Sequence, residues 1–233
     1  MGMYFVIIGI FSVVGMLVQS RLKSKFNQYS RVALSNGLSG VEVAHAMLDH
    51  YNITDVKIVQ GRGRLTDHYN PRTKTVSLSP EVYAGRSVAA AAVAAHECGH
   101  VIQHATAYSM LALRSNLVPV VQFSSKIQQF LFMGLMFGIG TGIGGNILLL
   151  VITATFGMTA LFSLVTLPVE FDASKRALVW LDDTGITQGA EYDGAKDALW
   201  WAAMTYVAQA LGALVMFLYF LLRHHPVCLV VLW

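Results

Sequence analysis

Val93–His104 reads VAAHECGHVIQH, and the rest of the chain is interpreted outward from it. It holds His96-Glu97-Cys98-Gly99-His100, two histidines four positions apart with a glutamate beside the first. The residues leading into it, from Ser87 to Ala95, are almost all Ala and Val, and the alanines favour a helix. On a helix, positions i and i+4 share a face, so the two imidazoles can converge on one point. That supplies two of the three protein ligands of a catalytic zinc ion. Glu97 is then placed to take a proton from a water at the metal. Cys98 points away from the histidine face, which suits packing better than ligation. The bland alternative is a helix whose two histidines are satisfied by their neighbours; the metal reading demands more, a third ligand from elsewhere in the chain.

The composition bounds where that ligand can come from. Of 233 residues, 55% are hydrophobic and 12% are charged, about half the charge of an ordinary soluble domain. The chain therefore reads as a mainly α membrane protein with one small polar domain. Its net charge of +3 is modest. The basic residues cluster beside an apolar run rather than among stacking aromatics, which argues against a nucleic-acid partner. Two cysteines, Cys98 and Cys228, make no disulfide framework.

Taken in order, Met3–Val18 is apolar and is followed by Arg21, Lys23, Lys25 and Arg31. A signal peptide carries its charges before the apolar run, so residues 1–20 are expected to be a retained transmembrane anchor with the N-terminus outside. Residues 21–116 form the largest polar block. Within it, Ser39–Tyr51 is expected to be a short amphipathic helix opened by a Ser/Gly cap. Val56–Gln60 and Thr73–Ser79 read as strands, with turns at Gly61-Arg62-Gly63 and Tyr69-Asn70-Pro71. Helix, short antiparallel sheet and motif helix make a small α+β unit. Thr73–Ser79 is either an ordinary edge strand or one that a substrate peptide extends.

Residues 117–168 are expected to be a transmembrane hairpin, Leu117–Phe137 and Ile147–Leu167 joined by glycine-rich Gly138–Gly145, with Pro168 marking the exit. Residues 169–199 form a second polar segment, in which Asp182-Asp183-Thr184-Gly185 reads as a turn. Residues 200–222 are a fourth span, opened by Trp200 and Trp201, and 223–233 are a tail. In this arrangement of about four spans, Arg21, Lys23, Lys25, Arg31, Arg114, Lys175, Arg176 and Lys196 fall on one side and Arg223 on the other. The positive-inside rule makes both polar segments cytoplasmic. A segment after the third span can thus share a metal with the motif helix.

Glu170 is the first candidate for the third ligand: a carboxylate at the membrane boundary is costly without a partner, and a cation would provide one. The plainer reading of Glu170 is a helix-start residue favoured by the dipole. Asp172, His68 and His104 are the remaining candidates. Asp172 points to a different face from Glu170, and His104 is one turn too far along to join His96 and His100 directly. Asp172 and His104 are therefore expected to support the ligands or orient substrate, and His68, in a turn-rich segment, either does so or bonds within its turn. His45 and His50 read as surface or packing residues. An ion transporter is the competing class, but the spans carry only Lys126 as an ionisable residue. A zinc-stabilised adaptor without turnover is another, against which the intact Glu97 argues.

Three stretches, LTDHYNP at Leu65–Pro71, AAHECGHVIQ at Ala94–Gln103 and EFDASKRAL at Glu170–Leu178, make the chain resemble the YugP-like neutral zinc metallopeptidases of bacterial membranes. The resemblance runs in order and spacing over almost the whole chain. It implies a zincin-like domain carrying the HExxH helix, one zinc ion on His96, His100 and Glu170, Glu97 as the catalytic base, and protein or peptide substrates at the bacterial cytoplasmic membrane. The layout is more distantly similar to the HtpX-type membrane proteases, in which an aspartate follows the glutamate ligand by four residues. Here that position is Ser174, so the acid's contact to a ligand histidine cannot be carried over.

Overall fold

The computed structural model describes residues 2–136 and 145–224. The order of elements is α1 (Gly2–Tyr29), α2 (Gly40–His50), β1 (Lys57–Gln60), β2 (His68–Asn70), β3 (Thr75–Leu78), α3 (Pro80–Tyr83), α4 (Val88–Ala105), α5 (Ser109–Met136), α6 (Gly145–Asp183) and α7 (Ala190–His224). Among the described residues, three helices are long and apolar enough to cross a membrane: Gly2–Tyr29, Ile147–Asp183 and Ala190–Arg223. The expected second span does form a helix, α5, but Arg114, Gln122, Lys126, Gln128 and Gln129 dilute its apolar character. Phe137 and the glycine-rich connection up to residue 144 lie outside the described residues.

Two compact units divide the chain. Among the described residues, one comprises 2–15, 113–136, 145–167 and 206–224; the other comprises 16–112 and 168–205. In the first, Ile152, Met216 and Phe220 form a core against which Tyr4, Ile7 and Leu131 pack. Phe156 and Phe220 stack with their centroids 5.2 Å apart.

The second unit is built around α4. Its alanine-rich start, Ala89 to Ala92 with Ala94 and Ala95, is almost wholly buried, because side chains of one carbon let neighbouring helices approach closely. Val43, Ala44 and Met47 of α2 and Val76 and Leu78 of β3 belong to the same core, as do Ala177, Trp180 and Leu181 of α6 and Ala195 and Leu199 of α7. Ser39 caps α2 in a capping box with Glu42, which satisfies otherwise orphaned N–H groups at both ends of the pair. Ser87 caps α4 by accepting from the Ala90 amide. The end of α1 is fastened to α7, where Lys25 Nζ and the Tyr29 hydroxyl both reach Asp197 Oδ2 at 2.7 Å.

Four expectations need correction. The sheet is mixed: its order is β1-β3-β2, with β1 parallel and β2 antiparallel to β3. The central strand is therefore β3, paired on both sides, so Thr73–Ser79 offers no free edge for an added strand. Tyr69 and Asn70 lie in β2 rather than in a turn; the Asn70 side chain accepts from the Arg72 amide at 3.0 Å and opens the turn after itself. Pro168 sits inside α6, which continues through it at the cost of one backbone hydrogen bond, and the next residue, Val169, is fully buried. Glu170 is consequently a mid-helix residue, not a helix start.

Candidate metal centre

α4 presents His96 and His100 toward α6, with Glu97 buried beside them. Glycine at position 99 permits the approach: a Cβ built there would lie 2.5 Å from the Ala173 carbonyl oxygen, so the α6 backbone rests directly on α4 at that point. Ala173 is one turn beyond Glu170, and Glu170 is brought over the two histidines. Its Oε2 lies 3.4 Å from His96 Nε2 and 3.5 Å from His100 Nε2. The imidazole centroids are 4.8 Å apart and nearly perpendicular.

The donor atoms of His96, His100 and Glu170 all fall within 4.8 Å of one another, and this is the one such group among the described residues. Ligands around a tetrahedral zinc with bonds of ~2.0–2.1 Å lie about 3.3–3.4 Å apart, which matches the two Nε2–Oε2 separations. The donor set is two imidazoles and a carboxylate in a buried pocket, with Glu170 only 2% exposed. The residues present fit a zinc ion.

The far nitrogens of both rings are engaged. His96 Nδ1 is 3.1 Å from Ser174 Oγ, and His100 Nδ1 is 3.0 Å from Gln103 Oε1. Gln103 Nε2 in turn donates to the Val169 carbonyl and to Asp172 Oδ2, each at 2.8 Å. Arg176 Nε donates to the same Asp172 oxygen at 2.6 Å and stands over the Tyr108 ring. Such partners hold ligand rings in orientation. Ser174 thus occupies the place where the HtpX-type pattern has an acid, and Asp172 acts on a histidine only through Gln103. Gln103 carries no motif signal in the sequence beyond its position three residues after His100, which puts it on the same helical face.

Burial pushes the Glu97 carboxyl above its ordinary value, against the opposing charges of His96 and His100. At His100, burial works against the charged ring, and the Glu170 carboxylate outweighs it, raising the pKa. The Cys98 thiol is buried and pushed up, so it stays protonated; it donates weakly to the Ala44 carbonyl at 3.7 Å. The two remaining histidine candidates face other partners. His68, exposed on β2, donates from Nδ1 to the Thr66 carbonyl at 2.8 Å. His104 is also exposed and meets the Tyr69 hydroxyl at 2.8 Å. His45 and His50 are exposed on α2.

This geometry can be set beside known proteins. The family described as "Putative neutral zinc metallopeptidase" matches residues 4–225, nearly the whole chain. The chain belongs to this zinc metallopeptidase family. A relative, "Putative membrane protease YugP" of Bacillus subtilis (strain 168), is 42% identical over 197 residues, covering 84% of this chain and 85% of the relative. No solved structure matches. A family of zinc peptidases implies protein or peptide substrates, and the apolar helices make this member a membrane protein.

Proposed function

We propose that the protein is a membrane-anchored zinc endopeptidase that hydrolyses peptide bonds of proteins at the cytoplasmic face of the bacterial inner membrane, in membrane protein quality control. The observation that carries this reading is the meeting of His96, His100 and Glu170 at separations suited to one zinc ion per chain. A zinc ion held there supplies Lewis acidity, bringing the pKa of a water toward ~7 and polarising a scissile carbonyl. Glu97, buried beside the cluster, accepts the water proton and delivers it to the leaving amine. Ser174 and Gln103 hold the two rings so that each Nε2 faces Glu170.

The cytoplasmic assignment rests on the bias of Lys and Arg among the segments flanking the apolar runs. The chain crosses the membrane with its N-terminus outside, and α5 supplies a span alongside the three more apolar helices. The test is cleavage of casein by the purified full-length protein in detergent. Cleavage that a chelator stops and added zinc restores supports the peptidase. Zinc bound without any cleavage, across casein and unfolded membrane proteins, would instead describe an adaptor.

A further inference from the structure

We infer that Gln103 is a positioning residue that sets the tautomer of His100 and ties that ring to the backbone carrying Glu170. This rests on the zinc-site reading above and concerns how the site is held in register. A glutamine amide has two distinct ends, an NH₂ that only donates and an oxygen that only accepts. The nitrogen of Gln103 lies 2.8 Å from the Val169 carbonyl and 2.8 Å from Asp172 Oδ2. Both are acceptors, and the same Asp172 oxygen also accepts from Arg176 Nε at 2.6 Å. The amide therefore cannot be turned around without setting its oxygen against two other oxygens.

With the nitrogen committed to α6, the Gln103 oxygen must face His100 Nδ1, 3.0 Å away. That oxygen accepts only, so neutral His100 must carry its proton on Nδ1. Its Nε2 is left as a bare lone pair directed at Glu170, the form a metal requires. Gln103 is completely buried, so water cannot replace a lost partner, and an unmade bond carries its full desolvation cost. The same amide grips the carbonyl of Val169, the residue before Glu170. One side chain thus couples a histidine from α4 to the glutamate from α6.

His96 is held differently. Its Nδ1 meets the Ser174 hydroxyl at 3.1 Å, and a hydroxyl both donates and accepts. That contact orients the ring without choosing its tautomer, so the two histidines are not equivalent.

The experiment is a polarity swap in the full-length protein in detergent, read as zinc affinity by competition with a chromophoric chelator and checked for helix content by circular dichroism. Gln103→Glu sets a carboxylate against the Val169 carbonyl and Asp172, and zinc affinity should fall about 10–100-fold. Gln103→Met fills similar space without setting an oxygen against those two acceptors, but it leaves His100 Nδ1 with no acceptor, and its zinc affinity should also fall about tenfold. In labelled, zinc-free protein the ¹⁵N shifts of His100 should show the proton on Nδ1 in wild type and a mixture of tautomers in Gln103→Met. Either variant binding zinc as tightly as wild type, or a wild-type His100 protonated on Nε2, would overturn the inference. Should Gln103→Glu fail to fold, Gln103→Met and the wild-type tautomer decide. A wild-type protein that binds no zinc, or a His100→Ala variant that binds it unchanged, would instead overturn the zinc site itself and this inference with it.

Discussion

Replacing Gly99 with alanine sets two opposing effects against each other, and the structure says which one prevails. In a helix interior, glycine is less favourable than alanine by ~1 kcal/mol, so by propensity alone the substitution should stabilise α4. However, the new Cβ would lie 2.5 Å from the Ala173 carbonyl oxygen and 3.1 Å from the carbonyl carbon and Cα of the same residue. All three atoms are backbone in a long helix, and none can rotate away. Relief requires α6 to move from α4 by roughly 0.7–1 Å, and overpacking of this kind typically costs about 1–3 kcal/mol. The net effect on stability is a loss of up to ~2 kcal/mol, once propensity is subtracted. The effect on the site is larger. Glu170 lies one turn from Ala173, and its oxygen now sits 3.4–3.5 Å from the two Nε2 atoms; a shift of that size would carry it beyond the ~3.4 Å ligand spacing of zinc. Gly99→Ala should keep its helix content and lose zinc affinity by at least about tenfold, since misplacement by 1 Å can cost as much as a hundredfold in function. Circular dichroism, thermal unfolding and chelator competition together provide the assay. An alanine variant that is more stable than wild type and binds zinc equally well would refute the close-packing argument.

Further outcomes follow from the same site. Glu97→Gln keeps the shape of the pocket but removes the proton acceptor, so zinc content should be unchanged while the rate of peptide hydrolysis falls about 10²–10⁴-fold; full activity in a proteolysis assay would strip Glu97 of its role. Ser174→Ala deletes the partner of His96 Nδ1, and zinc affinity should weaken toward the low end of the ~10–100-fold range for supporting contacts, while Ser174→Thr, which keeps the hydroxyl, recovers most of it. His104→Ala removes only the contact with Tyr69, and metal analysis should find its zinc content equal to wild type.

Much of the second unit is legible in sequence because the signals are local. The Ala-rich run and His96–His100 spacing announce α4, and Ser39 with Glu42 announces the start of α2. The strands near Lys57 and Thr75 show themselves through β-branched residues. Their relative direction does not, because the chain between them makes β2 before β3 and no residue in either strand records which neighbour it will have. β2 itself is three residues long, and its Tyr69-Asn70-Pro71 sequence carries turn chemistry; its pairing with β3 and the Tyr69–His104 contact are tertiary. Glu170 stands out as a third-ligand candidate through the cost of its charge near the bilayer and through family resemblance. Its setting inside a continuous helix is not legible beside Pro168, a residue that breaks most helices. In sequence Ser174 shows only that an acid is missing, although a hydroxyl can make the same orienting contact. The link from His100 through Gln103 to Asp172 joins residues far apart in sequence, and only the packing of α4 on α6 at Gly99 brings them together.

The central claim is that one zinc ion joins α4 to α6 through His96, His100 and Glu170. Metal analysis of the purified full-length protein and its Glu170→Ala variant tests it most directly. The account predicts close to one zinc per chain in the wild type and a large loss in the variant, with helix content retained. Equal zinc in the two proteins would contradict it.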